Sequence, residues 1–283
     1  MSFFQSRDGT QLHERAWPTS GQPRAVVVIV HGYGEHIGRY DATARALADA
    51  GFTVRGFDLR GHGQSGGVRG HCSKFNEYLE DVDAAVVRAR GENLPLFLLG
   101  HSFGALIASQ WALAHPQELA GLALTSPFYG LALAVPAAKV LAGKIASRIY
   151  PSLALPSGLK GVDVSRDPEI QKLYDADPLN NKNATARWFT EASAAQADLE
   201  ARAPQLTVPV LMIAGGADGI ASPKQAKVVF DRFGPRDKTF HLLDGQRHEV
   251  LNELPADRAR TVNEIAEWLR AHASVDDGRL RAG

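Results

Sequence analysis

The sequence predicts an α/β protein: a mostly parallel central sheet, helices on both faces, and one inserted helical segment. Three observations predict it. Short β-branched runs such as Val26-Val27-Val28-Ile29-Val30 have no polar alternation, as expected of strands buried on both faces of a parallel sheet. These runs alternate with segments of helical periodicity, the order that right-handed crossovers build into one sheet. The alternation then stops near Pro127 and resumes near Val208.

At the N-terminus, Asp8-Gly9 lies between two short alternating segments and reads as a hairpin turn. After Val30 the chain passes through His31-Gly32-Tyr33-Gly34. Ala44, Leu47 and Ala48 give helical spacing to residues 41–50, with Gly51 as the stop. Phe52 to Leu59 reads as a strand. Phe75, Leu79, Val82 and Val86 predict a helix ending before Gly91. Leu96 to Leu99 is a buried strand, followed by a helix through Leu106, Ile107, Gln110, Trp111 and Leu113 that stops at His115-Pro116, and by a strand at Leu122 to Thr125.

From Phe128 to Ala203 no buried β-branched run occurs, so residues 128–203 read as a mainly helical cap inserted into a core made of 1–127 and 204–283. The sheet resumes at Val208 to Ile213. Ser222-Pro223-Lys224-Gln225 opens a helix with a Ser cap, Pro at the first helical position and Gln at the capping-box position. Lys238 to Leu243 is a further strand, and a last helix spans Asp257 to His272.

The composition narrows the function. Of 283 residues, 45% are apolar, enough for a large core; Lys plus Arg and Asp plus Glu are both 31, so no basic excess points to nucleic acid. The one cysteine, Cys72, permits no internal disulfide and carries no catalytic signature, so it reads as a packed thiol. The first residues lack a basic head and long apolar run, and no 18-residue apolar window exists, so the expected location is the cytoplasm.

Two segments match G-x-S-x-G: Gly100-His101-Ser102-Phe103-Gly104 and Gly63-Gln64-Ser65-Gly66-Gly67. A nucleophile elbow requires a buried strand, a sharp turn and an immediate helix. Ser102 has that context. Ser65 lies in a glycine-rich loop and reads as structural. A helix starting at Ser102 also directs free N–H groups, Phe103 first, at a developing oxyanion. A serine nucleophile needs a base, and on this fold the order Ser, acid, His holds the partners at late strand ends. Asp218 follows the Val208 strand and His248 follows the Lys238 strand. The rivals are weaker: His241 falls within its strand, and Asp244 lies four residues before His248 in a turn. The second oxyanion donor belongs to the loop after an early strand, which points to the N–H of Tyr33.

With these residues in view, the sequence resembles the monoacylglycerol lipase and lysophospholipase family of α/β-hydrolases. The resemblance rests on His31-Gly32-Tyr33-Gly34-Glu35-His36 with Arg39-Tyr40, on Asp58-Leu59-Arg60-Gly61-His62-Gly63-Gln64-Ser65, on the Ser102 pentapeptide, and on His248-Glu249-Val250-Leu251-Asn252-Glu253. It implies hydrolysis of a lipid monoester by Ser102, Asp218 and His248, with no metal or organic cofactor. The family also includes carboxylesterases and peptidases.

Within the insert, Leu131, Leu133, Val135, Val140, Leu141, Ile145 and Ile149 are apolar. They suit either an acyl tunnel that also touches membranes or micelles, or ordinary helix core. An aminopeptidase would need a cap acid for the substrate amine, with Asp163, Asp167, Glu169, Asp175 and Asp177 as candidates. A dehalogenase or epoxide hydrolase would carry a carboxylate at position 102. A non-catalytic receptor would have no reason to keep all three of Ser102, Asp218 and His248.

Overall fold

The computed structural model describes residues 2–92, 94–133 and 135–273. Its first two strands, β1 (Ser2–Gln5) and β2 (Gln11–Trp17), form the expected antiparallel hairpin, with Gly9 at φ +84° in the turn. Next come β3 (Val26–Val30), α1 (Asp41–Asp49), β4 (Thr53–Phe57), α2 (Asn76–Arg90), β5 (Leu96–His101), α3 (Phe103–Ala114) and β6 (Gly121–Thr125). The inserted segment contains α4 (Ala137–Ile149), β7 (Ala154–Pro156), α5 (Gly161–Val164), α6 (Pro168–Ala176), β8 (Asn183–Thr185) and α7 (Ala186–Arg202). The chain finishes with β9 (Val210–Gly215), α8 (Pro223–Arg232), β10 (Lys238–Leu243) and α9 (Pro255–Ala273).

Eight strands form one sheet in the order β1-β2-β4-β3-β5-β6-β9-β10, antiparallel at β1-β2-β4 and parallel elsewhere. Both faces of the parallel part are covered. Val26, Val28 and Val30 join a core with Leu98, Leu124, Met212 and residues of α2, α3 and α8. Val27 and Ile29 face the other way, with Leu99, Ile213 and residues of α1 and α9. The uninterrupted apolar strands are thereby explained: each successive side chain enters a different, equally dry layer.

The topology positions the site. From β3 the chain steps outward to β4, then returns across β3 to β5. The C-terminal ends of β3 and β5 are adjacent, with Val30 opposite Gly100, at the crevice where such sheets bind ligands. Residues 31–34 and 101–104 therefore leave the sheet side by side.

The inserted segment is mainly helical, and within it β7 and β8 pair as a small antiparallel ribbon. One local reading needs adjustment. At α8, Ser222 does cap the helix by accepting from the Gln225 N–H at 3.2 Å, but the Gln225 side chain donates to Glu200 instead of closing a capping box.

Ser65 lies where a structural residue is expected. Its hydroxyl donates to the Asp58 carbonyl at 2.5 Å and accepts from the His13 N–H at 2.9 Å, tying the loop to β2. The Asp58 carboxylate accepts from the N–H groups of Ile37 and Gln64 and bonds the His13 ring, so it organises the loops on both sides. Cys72 is buried and unpaired, and burial pushes its thiol up to about 12, the state of a packing side chain.

Candidate active site

Ser102 sits between the end of β5 and the start of α3 at φ +53°, ψ −117°, a backbone state that L side chains rarely adopt. The flanking glycines permit it. A Cβ at Gly104 would lie 2.0 Å from the Val30 carbonyl oxygen, and one at Gly100 2.7 Å from the Ala105 Cα. The Ser102 N–H donates to Thr125 O, and its carbonyl accepts from the N–H groups of Ala105, Leu106 and Phe128. β6, α3 and the first residue of the insert thus hold the strained turn together.

The three residues expected to act together meet. His248 Nε2 lies 2.8 Å from Ser102 Oγ, and His248 Nδ1 lies 2.6 Å from Asp218 Oδ2. Asp218 follows β9, and its second oxygen accepts from the N–H groups of Ile220 and Ala221. All three side chains are buried. Burial alone would push the His248 pKa down; the Asp218 carboxylate, with Glu249 and Glu35 further off, outweighs it and raises the pKa above its ordinary value. The rivals stay apart from this group. His241 lies in β10 paired with Glu264, and Asp244 occupies the turn after β10.

Several polar groups of the loop after β3 are braced. The Gly32 N–H donates to Glu35 Oε1 at 2.6 Å, and the Gly32 carbonyl is held by His31 Nδ1 at 2.7 Å. His31 Nε2 in turn accepts from the Leu59 N–H, and burial keeps this ring neutral. With its carbonyl fixed, the peptide plane joining Gly32 to Tyr33 cannot rotate. Among the described residues, no protein group accepts from the N–H of Tyr33 or of Phe103. Both residues line the cavity beside Ser102.

Several side chains here were not singled out from sequence. Arg39 bridges Glu35 at 3.3 Å and Glu249 at 2.5 Å, and Tyr40 donates to Glu35 Oε1 at 2.6 Å. Burial works against the Arg39 charge, but Glu249 and Glu35 more than restore it. His101, beside Ser102, bonds Thr125 Oγ1, and burial lowers its pKa to about 3, so it stays neutral beside His248. The sequence did signal Glu35, Arg39 and Tyr40 as neighbours of the glycine loop. It held no sign that Glu249 joins them from the far end of the chain.

Above Ser102 lies a cavity of about 200 Å³, against the roughly 10–15 Å³ one water needs. Its walls from the insert are Phe128, Leu131, Leu159, Val164, Trp188 and Phe189 among others, and its polar end carries Glu35 and Glu249. The expected tunnel residues are only partly present. Leu131 lines it, but Leu141, Ile145 and Ile149 are exposed on α4, and Leu133 and Val135 line a separate surface hollow. None of the insert's acids lines the cavity. Asp163, Asp167 and Asp175 accept from nearby backbone N–H groups, Asp177 pairs with His36, and Glu169 pairs with Lys172. Among the described residues no group of His, Cys, Asp and Glu has the arrangement of a metal site, and no helix is long and apolar enough to cross a membrane.

Comparison with known proteins agrees with this architecture. Residues 21–255 match the Hydrolase_4 family, described as serine aminopeptidase, S33. The chain is 35% identical to human monoglyceride lipase over 269 residues, covering 93% of this chain and 88% of that one. It is 34% identical over 271 residues to an uncharacterized abhydrolase domain-containing protein of Dictyostelium discoideum, spanning 28% of that longer protein. The crystal structure of Paleococcus ferrophilus monoacylglycerol lipase superimposes with a TM-score of 0.85 at 32% identity, over 92% of this chain and 99% of that one. The fold is that of the α/β-hydrolases.

If His248 is the base, it must be neutral to accept a proton, and its protonation should abolish turnover. With its pKa raised, kcat/KM should fall as the pH drops through a midpoint above 6.5. Asp218→Asn should move that midpoint down and reduce kcat by about 10⁴-fold. A pH–rate series on a soluble ester checks both.

Proposed function

We infer that this chain, which belongs to the Hydrolase_4 (serine aminopeptidase, S33) family, is a carboxylic ester hydrolase of the monoacylglycerol lipase kind, with Ser102 as nucleophile, His248 as base and Asp218 as the group that orients the base. The observation carrying the inference is the continuous hydrogen-bonded line from Asp218 through His248 to a Ser102 hydroxyl that opens on an apolar cavity. Ser102 Oγ attacks the ester carbonyl as His248 takes its proton. The N–H groups of Tyr33 and Phe103 receive the oxyanion. His248 then protonates the leaving alcohol, and water repeats the cycle on the acyl-enzyme.

The lining argues for the substrate class. The apolar walls from the insert suit an acyl chain, and the proposal treats residues 128–203 as a cap over the core. At the polar end, Glu35 and Glu249 face one guanidinium, Arg39. Glycerol hydroxyls find acceptors there, whereas an anionic phosphodiester meets an excess of negative charge. The aminopeptidase reading is disfavoured because no acid of the cap lines the cavity. The exposed face of α4, with Leu141 and Ile145 outward and Lys139 and Lys144 on the same helix, supports a peripheral contact with a lipid surface.

Initial rates on 1-monoacylglycerols, on an anionic lysophospholipid of the same acyl chain and on a short activated ester test the substrate class. Ser102→Ala should lose at least about a thousandfold on all of them, while Ser65→Ala keeps turnover within about threefold. Monoacylglycerol should exceed the lysophospholipid by at least about tenfold in kcat/KM. Equal rates on the two lipids would remove the charge argument. Leu141→Glu with Ile145→Glu should abolish sedimentation with anionic vesicles yet leave the soluble-ester rate unchanged; undiminished sedimentation would contradict the α4 contact.

A further inference from the structure

The loop that carries the oxyanion donor is held from two sides. Its upstream half belongs to the core, through Glu35 on the Gly32 N–H and His31 on the Gly32 carbonyl. Its downstream half belongs to the inserted segment. The single phenolic hydrogen of Tyr33 is shared between the carbonyls of Gly70, at 2.9 Å, and of Asn183 in β8, at 2.8 Å. The Tyr33 ring lies 3.7 Å from that of Trp188 in α7, centroid to centroid. The Asn181 N–H donates to the Gly34 carbonyl at 2.8 Å. His36, two residues on, meets Asp177 at 2.9 Å. Three consecutive stretches of the cap, around 177, 181–183 and 188, are therefore seated on residues 33–36.

This seat has little slack. A Cβ at Gly70 would come within 2.4 Å of the Tyr33 hydroxyl and 2.2 Å of Asn181 Nδ2. Asn181 also shapes the turn that presents the Asn183 carbonyl, donating to it from Nδ2 at 2.9 Å and accepting the Asn183 N–H at Oδ1. Tyr33 Cα thus lies between a peptide plane fixed by the core and a side chain held jointly by Gly70 of the core and by Asn183 and Trp188 of the cap.

We propose that the Tyr33 side chain is a positioning residue that makes the oxyanion hole depend on the seating of the cap. With the cap seated, the hydroxyl bond and the Trp188 contact hold Tyr33 Cα where its own N–H points at the reacting carbonyl oxygen. When the cap shifts to admit substrate or release product, the same contacts draw that N–H out of line. The oxyanion hole is therefore complete only while the cap is seated. The proposal rests on Tyr33 N–H being an oxyanion donor, as inferred above.

Tyr33→Phe tests it, because the backbone N–H, the ring and the Trp188 contact all remain. On a short soluble ester, kcat should fall about five- to tenfold with KM within about twofold, the effect of one hydrogen bond expressed in the transition state. A trifluoromethyl ketone, which forms a tetrahedral oxyanion on the serine, should lose affinity by the same factor, while an unreactive ether analogue keeps its own. Asn181→Ala, which keeps the Tyr33 residue and its Gly70 partner but loosens the turn carrying the Asn183 carbonyl, should give a smaller loss of the same kind and add nothing in the Tyr33→Phe background. Wild-type kcat in both variants, or equal losses for ketone and ether, would overturn the coupling. If wild type turns over and Ser102→Ala does not, the hydrolase reading survives that failure.

Discussion

Everything in this structure depends on holding one serine in a backbone state it would not adopt alone. Ser102 at φ +53° costs about 1–3 kcal/mol locally, and the surroundings over-determine it. Gly104 lets α3 start directly against the carbonyls of Val30 and His31, and Gly100 lets that helix close back on β5. Relaxing the turn would mean separating α3 from β3, and those elements share the larger apolar core. Strain at Ser102 is in this way opposed by burial across a whole face of the sheet.

The same close approach sets the electrostatics. Because β3 and β5 end side by side, the glycine loop and the elbow line the same cavity. Around that point the protein keeps histidines of opposite character. His31 and His101 are buried and held neutral, whereas His248 has Asp218 beside it and its pKa rises. The difference lies in the neighbours, since all three rings are equally dry. Glu35, Arg39 and Glu249 extend the network away from the serine, bracing Gly32 and forming the polar end of the cavity.

Much of this was legible in the chain. The β-branched runs and their alternation with helices gave the parallel sheet, because each strand must satisfy two apolar layers. Ser102 separated from Ser65 because only one of the two is followed at once by a helix, and Ser65 instead secures Asp58. Asp218 and His248 followed from their positions past strand ends. The insert was harder. Its apolar residues carry no period that distinguishes a cavity wall from an exposed face, so those of α4 suited a tunnel and a helix core equally, whereas Leu141, Ile145 and Ile149 lie exposed and the lining includes Phe128, Leu159, Trp188 and Phe189. The role of the Tyr33 hydroxyl was illegible for a related reason. Its partners are backbone carbonyls at Gly70 and Asn183, and a carbonyl leaves no mark on residue identity.

The most direct test of the central claim is to label the native protein with a fluorophosphonate and map the adduct by peptide mass spectrometry. The strained, His248-activated serine should give a single stoichiometric adduct on Ser102 that is lost in His248→Ala, with Ser65 unmodified. An adduct on Ser65, or ester turnover that persists with no adduct on Ser102, would contradict the account.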